Sequence, residues 1–186
     1  MAIIHRATLV PSKAELVAAW LPSRSWFDGP AESVRPVAAY RFDDPAGEVG
    51  IESHLLDVDG RLVHVPLTYR GAPLPGADEW LVGTMQHSVL GTRWVYDGPG
   101  DPVYRDEVTR VVREGDTQVR MFVETPEGPE EREPTMRVRG SGGEPGAGMP
   151  VVVRFPEPGP TTPGGATLTG TWPGQDEPVV LVRLGA

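Results

Sequence analysis

Gly47-Glu-Val-Gly-Ile-Glu-Ser-His-Leu-Leu-Asp-Val-Asp-Gly-Arg-Leu-Val-His-Val-Pro-Leu-Thr-Tyr69 reads as two strands joined by a tight turn. Its β-branched and aromatic residues favour extended backbone. The Asp59-Gly60 pair between them suits a two-residue hairpin, because both central positions must tolerate positive φ. Downstream of the turn, Leu62, His64, Pro66 and Thr68 alternate with Val63, Val65, Leu67 and Tyr69. One face of this sheet is therefore expected to be buried, the other wet or covered by a helix.

Working outward, residues 36–43 supply a strand upstream, and 80–85 and 92–96 supply two more downstream, after a loop over 71–78. Residues 2–10 are β-rich and read as the first strand of the chain. Ser12 and Glu15 then have capping-box spacing, and Leu16, Val17, Trp20 and Leu21 fall on one helical face before Pro22. Asp101-Pro102 is an N-cap followed by proline at the first helical position. The stripe Val103, Tyr104, Val108, Val111 and Val112 predicts a second helix that ends at Gly115. Beyond it, short strands are expected at 118–124, 135–139, 151–155, 166–171 and 178–184, with loops at 125–134, 140–150 and 157–165. These strands can extend the first sheet or form a small second one.

Composition narrows the function classes. The 186 residues suit one domain with an extension. The 23 glycines and 21 prolines call for many turns and short elements. A formal net charge of −9 repels phosphate backbones and anionic membranes, so neither nucleic acid nor membrane is an expected partner. Lys13 is the only lysine. No cysteine is present, which excludes disulfides and thiolate metal sites. No signal peptide or membrane-spanning run is visible, and the expected location is cytoplasmic.

Several suspects have simpler readings. The run from Gly140 to Gly148 lacks the Gly-Lys-Ser/Thr and following helix of a phosphate loop and reads as a flexible hairpin loop. Asparagine is absent, Asp-Phe-Gly is absent, and Lys13 precedes a helix instead of sitting in a strand. The groups a protein kinase needs are thus missing from the sequence. His5, His54, His64 and His87 are scattered; His54 and His64 can meet on neighbouring strands, but nothing fixes a third metal ligand. Asp43, Asp44, Glu48 and Glu52 cluster at a turn whose Asp-Pro-Gly content needs no catalysis to explain it. The aromatic block Tyr69-Arg70, Trp80, Trp94, Tyr96 and Tyr104 can stack on sugars or meet a protein, although core packing accounts for most of it more simply.

Three segments together resemble the N-terminal cap of actinobacterial maltokinases: Gly47-Glu-Val-Gly-Ile-Glu52, Val65-Pro-Leu-Thr-Tyr-Arg-Gly-Ala-Pro-Leu74, and Leu81-Val-Gly-Thr-Met-Gln-His-Ser-Val-Leu-Gly-Thr-Arg-Trp-Val-Tyr-Asp-Gly98, continued by Asp101-Pro-Val-Tyr104. The resemblance runs over residues 1–115. It implies an α+β fold in which a curved antiparallel sheet packs on a helix, a cystatin-like cap, followed here by a β-rich C-terminal extension over 116–186. The two regions are expected to pack as one domain. In that family the cap precedes the lobes that phosphorylate maltose with ATP. No catalytic residue carries over, and neither cofactor nor metal is expected. The function implied is a non-catalytic accessory or regulatory protein that docks onto a partner, a kinase or an α-glucan enzyme. A carbohydrate or small-ligand module and a cryptic enzyme are the alternatives. The candidate surface comprises Tyr69, Arg70, Trp80, His87, Arg93, Trp94, Tyr96 and Asp97. The oligomeric state is left open.

Overall fold

Asp59 and Gly60 take positive φ values of 50° and 87°, so the hairpin that decides the fold closes as its sequence requires. The computed structural model describes residues 2–4, 7–125, 127–143, 148–159 and 165–185, with backbone alone at 2–4, 124 and 125. In chain order the elements are β1 (Ala2–Ile4), β2 (Leu9–Val10), α1 (Lys13–Trp20), β3 (Val34–Asp43), β4 (Gly50–Val58), β5 (Arg61–Arg70), β6 (Leu81–His87) and β7 (Gly91–Asp97). They continue with α2 (Pro102–Glu114), β8 (Met121–Thr125), β9 (Gly128–Arg132), β10 (Arg137–Gly140), β11 (Pro150–Val152), β12 (Thr167–Trp172) and β13 (Gln175–Leu184). Six strands form a curled antiparallel sheet in the order β2-β6-β7-β5-β4-β3. The helix-on-curved-sheet arrangement expected from the resemblance is present.

Both helices start as their sequences demand. The Ser12 hydroxyl accepts from the Glu15 amide, and the Glu15 carboxylate accepts in return from the Ser12 amide at 2.8 Å. Asp101 caps α2 by accepting from the Val103 amide at 3.0 Å, and Gly115 ends the helix in the left-handed region at φ 65°. Val108, Val111 and Val112 are fully buried. At roughly 1.5 kcal/mol or more per buried valine, this stripe outweighs a propensity deficit of about 0.5 kcal/mol per residue.

The sheet separates two cores. On one face, Leu16, Val17 and Trp20 of α1 pack against Val63, Val65 and Leu67 of β5. On the other, Tyr104, Val108 and Val111 of α2 join Tyr40, Ile51 and Leu55 from the sheet and Leu168, Leu181 and Val182 from the C-terminal strands. Every residue from Val63 to Thr68 is consequently buried. The face opposite α1 is neither wet nor covered by that helix: α2 and a four-stranded sheet, ordered β10-β12-β13-β11, lie over it.

Several local expectations are corrected. Residues 2–10 do not form one strand: β1 pairs parallel with β8 in a three-stranded sheet, while β2 pairs with β6 in the large one. The 125–134 loop contains β9, an antiparallel partner of β8. Helix α1 runs into a 3-10 turn over Leu21–Ser23, since proline near the start of that turn needs no amide partner. The C-terminal strands make their own sheet, yet the segment after β11 reaches back to the first one. The His64 amide donates to the Arg154 carbonyl at 2.8 Å, along the part of β5 that β7 leaves unpaired. Phe155 packs edge-on against Trp26, and the Arg154 guanidinium lies over the Trp26 ring and pairs with Asp97. Residues 144–147 of the glycine-rich run and His5 lie outside the described residues.

Candidate functional site

The antiparallel register places Arg41 of β3 opposite Glu52 of β4, and Tyr69 of β5 opposite Gly50. These side chains line a cleft of about 620 Å³ on the α1 side of the sheet. Lys13 in the first turn of α1 closes one wall, and the β3–β4 turn at Asp44 and Glu48 forms another. The β6–β7 turn brings His87, Leu90 and Arg93 to the remaining side.

A chain of polar contacts runs along the floor. The Lys13 ammonium donates to Glu52 Oε2 at 2.5 Å and lies 5.3 Å from the Tyr69 ring centre. Glu52 Oε1 stands 3.8 Å from His54 Nε2, which in turn lies 3.1 Å from the Tyr69 hydroxyl. Burial works against the Glu52 charge, but protonated His54, Lys13 and Arg41 outweigh it and hold the carboxyl down at about 2. Burial pushes His54 down to about 4, with Glu52 opposing and Lys13 and Arg41 adding to the shift. Burial, aided by Glu52, raises the Tyr69 phenol well above its ordinary value.

The two central histidines face apart. His54 is buried behind the cleft lining against Tyr69, whereas His64 sits on the opposite face with its Nε2 3.1 Å from the Tyr40 hydroxyl. Among the described residues no group of three potential metal ligands gathers. Burial, then Arg154, drives His64 down to about 3 from the ordinary 6.5. Both histidines therefore have depressed values in the fold. Below pH 6.5 the unfolded chain takes up protons that the folded one refuses, so stability is complete above that pH and is lost towards 4 and then 3. At ~1.4 kcal/mol per pKa unit, equilibrium urea unfolding should show a loss of about 2 kcal/mol or more between pH 7 and 5. His54→Gln should remove a measurable part of that slope. A flat profile over this window would contradict the assignment.

The surface expected from sequence divides into three. Tyr69, His87 and Arg93 converge on the cleft. His87 Nδ1 accepts from the amides of Val89 and Leu90 at 3.2 and 3.1 Å, which orders the turn and leaves the ring proton of the neutral form on Nε2. Arg70 instead forms a two-pronged pair with Asp101, with both bonds at 2.7 Å. Tyr96 is buried and its hydroxyl accepts from the Leu74 amide at 2.8 Å; Asp97 is buried against Arg154, with burial raising its carboxyl above the ordinary value. Trp80 and Trp94 are half-buried, and Trp80 packs so tightly on Gly100 that a Cβ there would meet it at 2.0 Å.

Lys13 and Arg41 belong to the cleft without having been singled out as site residues. The period-2 alternation of β4 puts Glu52 and His54 on one face, but their partners come from elements 39 and 11 residues upstream of Glu52, as Lys13 and Arg41. Only the solitary lysine itself was a local signal. At one end of the cleft, Val10, Val89 and Leu90 stand 62%, 58% and 48% exposed around the β6–β7 turn. Thr8 is pinned there by its amide to the Ser88 hydroxyl at 3.0 Å.

Residues 20–101 match the family model of the maltokinase N-terminal cap domain. No curated protein matches the chain. The matched stretch opens on the last residue of α1 and closes on the N-cap of α2, so it contains β3 to β7 and all of the cleft floor except Lys13. It is narrower than the resemblance over 1–115, and α2 with the C-terminal sheets falls outside it. Among the described residues no helix is long and apolar enough to cross a membrane.

Proposed function

We propose that this chain, which carries a maltokinase N-terminal cap-like region at residues 20–101, is a non-catalytic accessory or regulatory protein. It acts by docking onto a protein partner, a kinase or another enzyme of maltose, trehalose or α-glucan metabolism. The match to a cap domain, together with a sequence that lacks the strand lysine, asparagine and Asp-Phe-Gly of a kinase, carries this reading, and the charge state of the cleft agrees with it. General acid–base catalysis works best with a group whose pKa lies near the working pH. Glu52 titrates at about 2, His54 at about 4, and Tyr69 far above its ordinary value. Each keeps one charge state throughout the neutral range.

Docking is supported by the apolar residues Val10, Val89 and Leu90 at the end of the sheet. Exposed side chains of this kind, rimmed by polar groups, suit a protein contact. The net charge of −9 favours a basic surface on the partner. The test is binding of the purified chain to purified maltokinase and to purified α-glucan enzymes, measured by interferometry. At least one should bind, and the double variant Val89→Asp, Leu90→Asp should weaken that binding tenfold or more with an unchanged melting temperature. Binding to none of them, or equal binding by the double variant, would overturn the proposal.

A further inference from the structure

We infer that the cleft between α1, the β3–β4 turn and the β6–β7 turn is also a binding site for a small hydroxylated oxyanion, a phosphorylated or carboxylated polyol whose anionic head rests on Arg41 and Arg93. This site does not rest on the docking reading, although Leu90 borders both surfaces. Its volume, about 620 Å³, falls in the range of small-molecule pockets, roughly 300 to 1,000 Å³.

The guanidiniums decide the ligand class. Arg41 and Arg93 both line the cleft, and the Nε of each is buried with no hydrogen-bond partner among the described residues. These Nε atoms are enclosed by protein, so an oxyanion in the cleft would meet the outer Nη atoms of the two guanidiniums, where a charged acceptor is a stronger partner than a neutral oxygen. Arg93 keeps Nη2 on the Leu90 carbonyl at 2.5 Å, which steadies its fork. Glu52 is already engaged by Lys13 on one oxygen and faces His54 with the other. Across the whole lining, Lys13, Arg41 and Arg93 stand against four carboxylates, Asp43, Asp44, Glu48 and Glu52, so the pull on an anion is local to the two guanidiniums.

The rim explains the body of the ligand. Asp43, Asp44 and Glu48 are the acids there. Asp44 is spent on its own turn, where its oxygens accept from the amides of Ala46, Glu48 and Val49. Glu48 is exposed at the lip and offers an acceptor for hydroxyls. The same carboxylates repel a polyanion, which disfavours a nucleotide triphosphate. The Tyr69 ring adds a flat apolar wall against which a pyranose or extended polyol can lie.

The test is calorimetric titration of the full chain with glucose 6-phosphate, gluconate and glucose. The expected result is saturable binding of the phosphate ester, the carboxylate or both, weakening with added salt, and no binding of glucose. Binding of only one of the two identifies which head group the site takes. Arg41→Gln and Arg93→Gln should each weaken Kd at least tenfold, while Arg183→Gln, an exposed change outside the cleft, should leave it unchanged. Circular dichroism establishes that each variant is folded, and either cleft variant suffices for the comparison. Absence of binding by all three probes, glucose binding as tightly as the anions, or wild-type Kd in a folded cleft variant would each overturn the inference.

Discussion

Replacing Asp101 by alanine is expected to lower the unfolding free energy by about 4 kcal/mol, the sum of a broken buried pair and a lost cap. Asp101 is fully buried and ties β5 to α2. It accepts two bonds from Arg70 and one from the Thr68 hydroxyl, each at 2.7 Å, and caps α2 through the Val103 amide. Burial opposes its charge, but these donors prevail and hold its carboxyl below the ordinary value. Alanine would leave the Arg70 side chain, only 19% exposed, without its counter-charge. For a chain of this length the loss corresponds to roughly 10 °C in melting temperature. Asp101→Asn keeps the cap and removes the charge, so it should fall about midway. A loss below about 1 kcal/mol for the alanine variant, measured by urea unfolding, would show that the cluster is not a structural joint.

Gly140→Ala is the second change expected to be severe, at about 3 kcal/mol or more from forced overpacking. A Cβ at this position would lie 2.1 Å from the Val111 carbonyl oxygen and 2.7 Å from the Val112 Cα. Both neighbours are backbone of α2, so no side chain can swing aside. The contact is also a hydrogen-bonded seam: Gly140 donates to the Asp116 carbonyl and Gly142 to that of Val112, both at 2.9 Å. Because this seam joins the C-terminal strands to α2, wild type and variant should each unfold in one transition that lowers both regions together. Two separate transitions, or a variant with unchanged stability, would contradict the shared core of Leu168, Leu181, Val108 and Tyr40.

What was legible in the sequence was what short spacing encodes. The Asp59-Gly60 turn, the Ser12–Glu15 box, the Asp101 cap and the Gly115 stop are each written within a few residues, and each is formed. Features that depend on distant partners left little trace. Pairing of β1 with β8 joins positions about 120 residues apart in parallel, as in Ile3 with Phe122, and no local period announces it. The alternation in β5 announced one buried face, whereas the second became buried only because α2 and the C-terminal sheet fold over it. His64, Thr68 and Tyr40 tolerate that burial because each finds a polar partner.

The candidate site shows the same division. Tyr69, His87 and Arg93 were legible as a surface, and they meet at the cleft. Tyr96, Asp97 and Arg70 looked equivalent in sequence but are held by Leu74, Arg154 and Asp101. A half-exposed aromatic and a core aromatic share the same β-strand propensity, so only the register and the covering layers separate them.

The most direct measurement is turnover by the purified 186-residue chain, free of other proteins, incubated with ATP, magnesium and maltose, with products followed by phosphorus NMR. Without a strand lysine, an asparagine or Asp-Phe-Gly to hold ATP and magnesium, the chain is expected to give no phosphorylated maltose above the protein-free blank, in a preparation that circular dichroism shows to be folded. Phosphorylated maltose that accumulates in proportion to chain concentration, and persists through further purification, would contradict a role in binding alone.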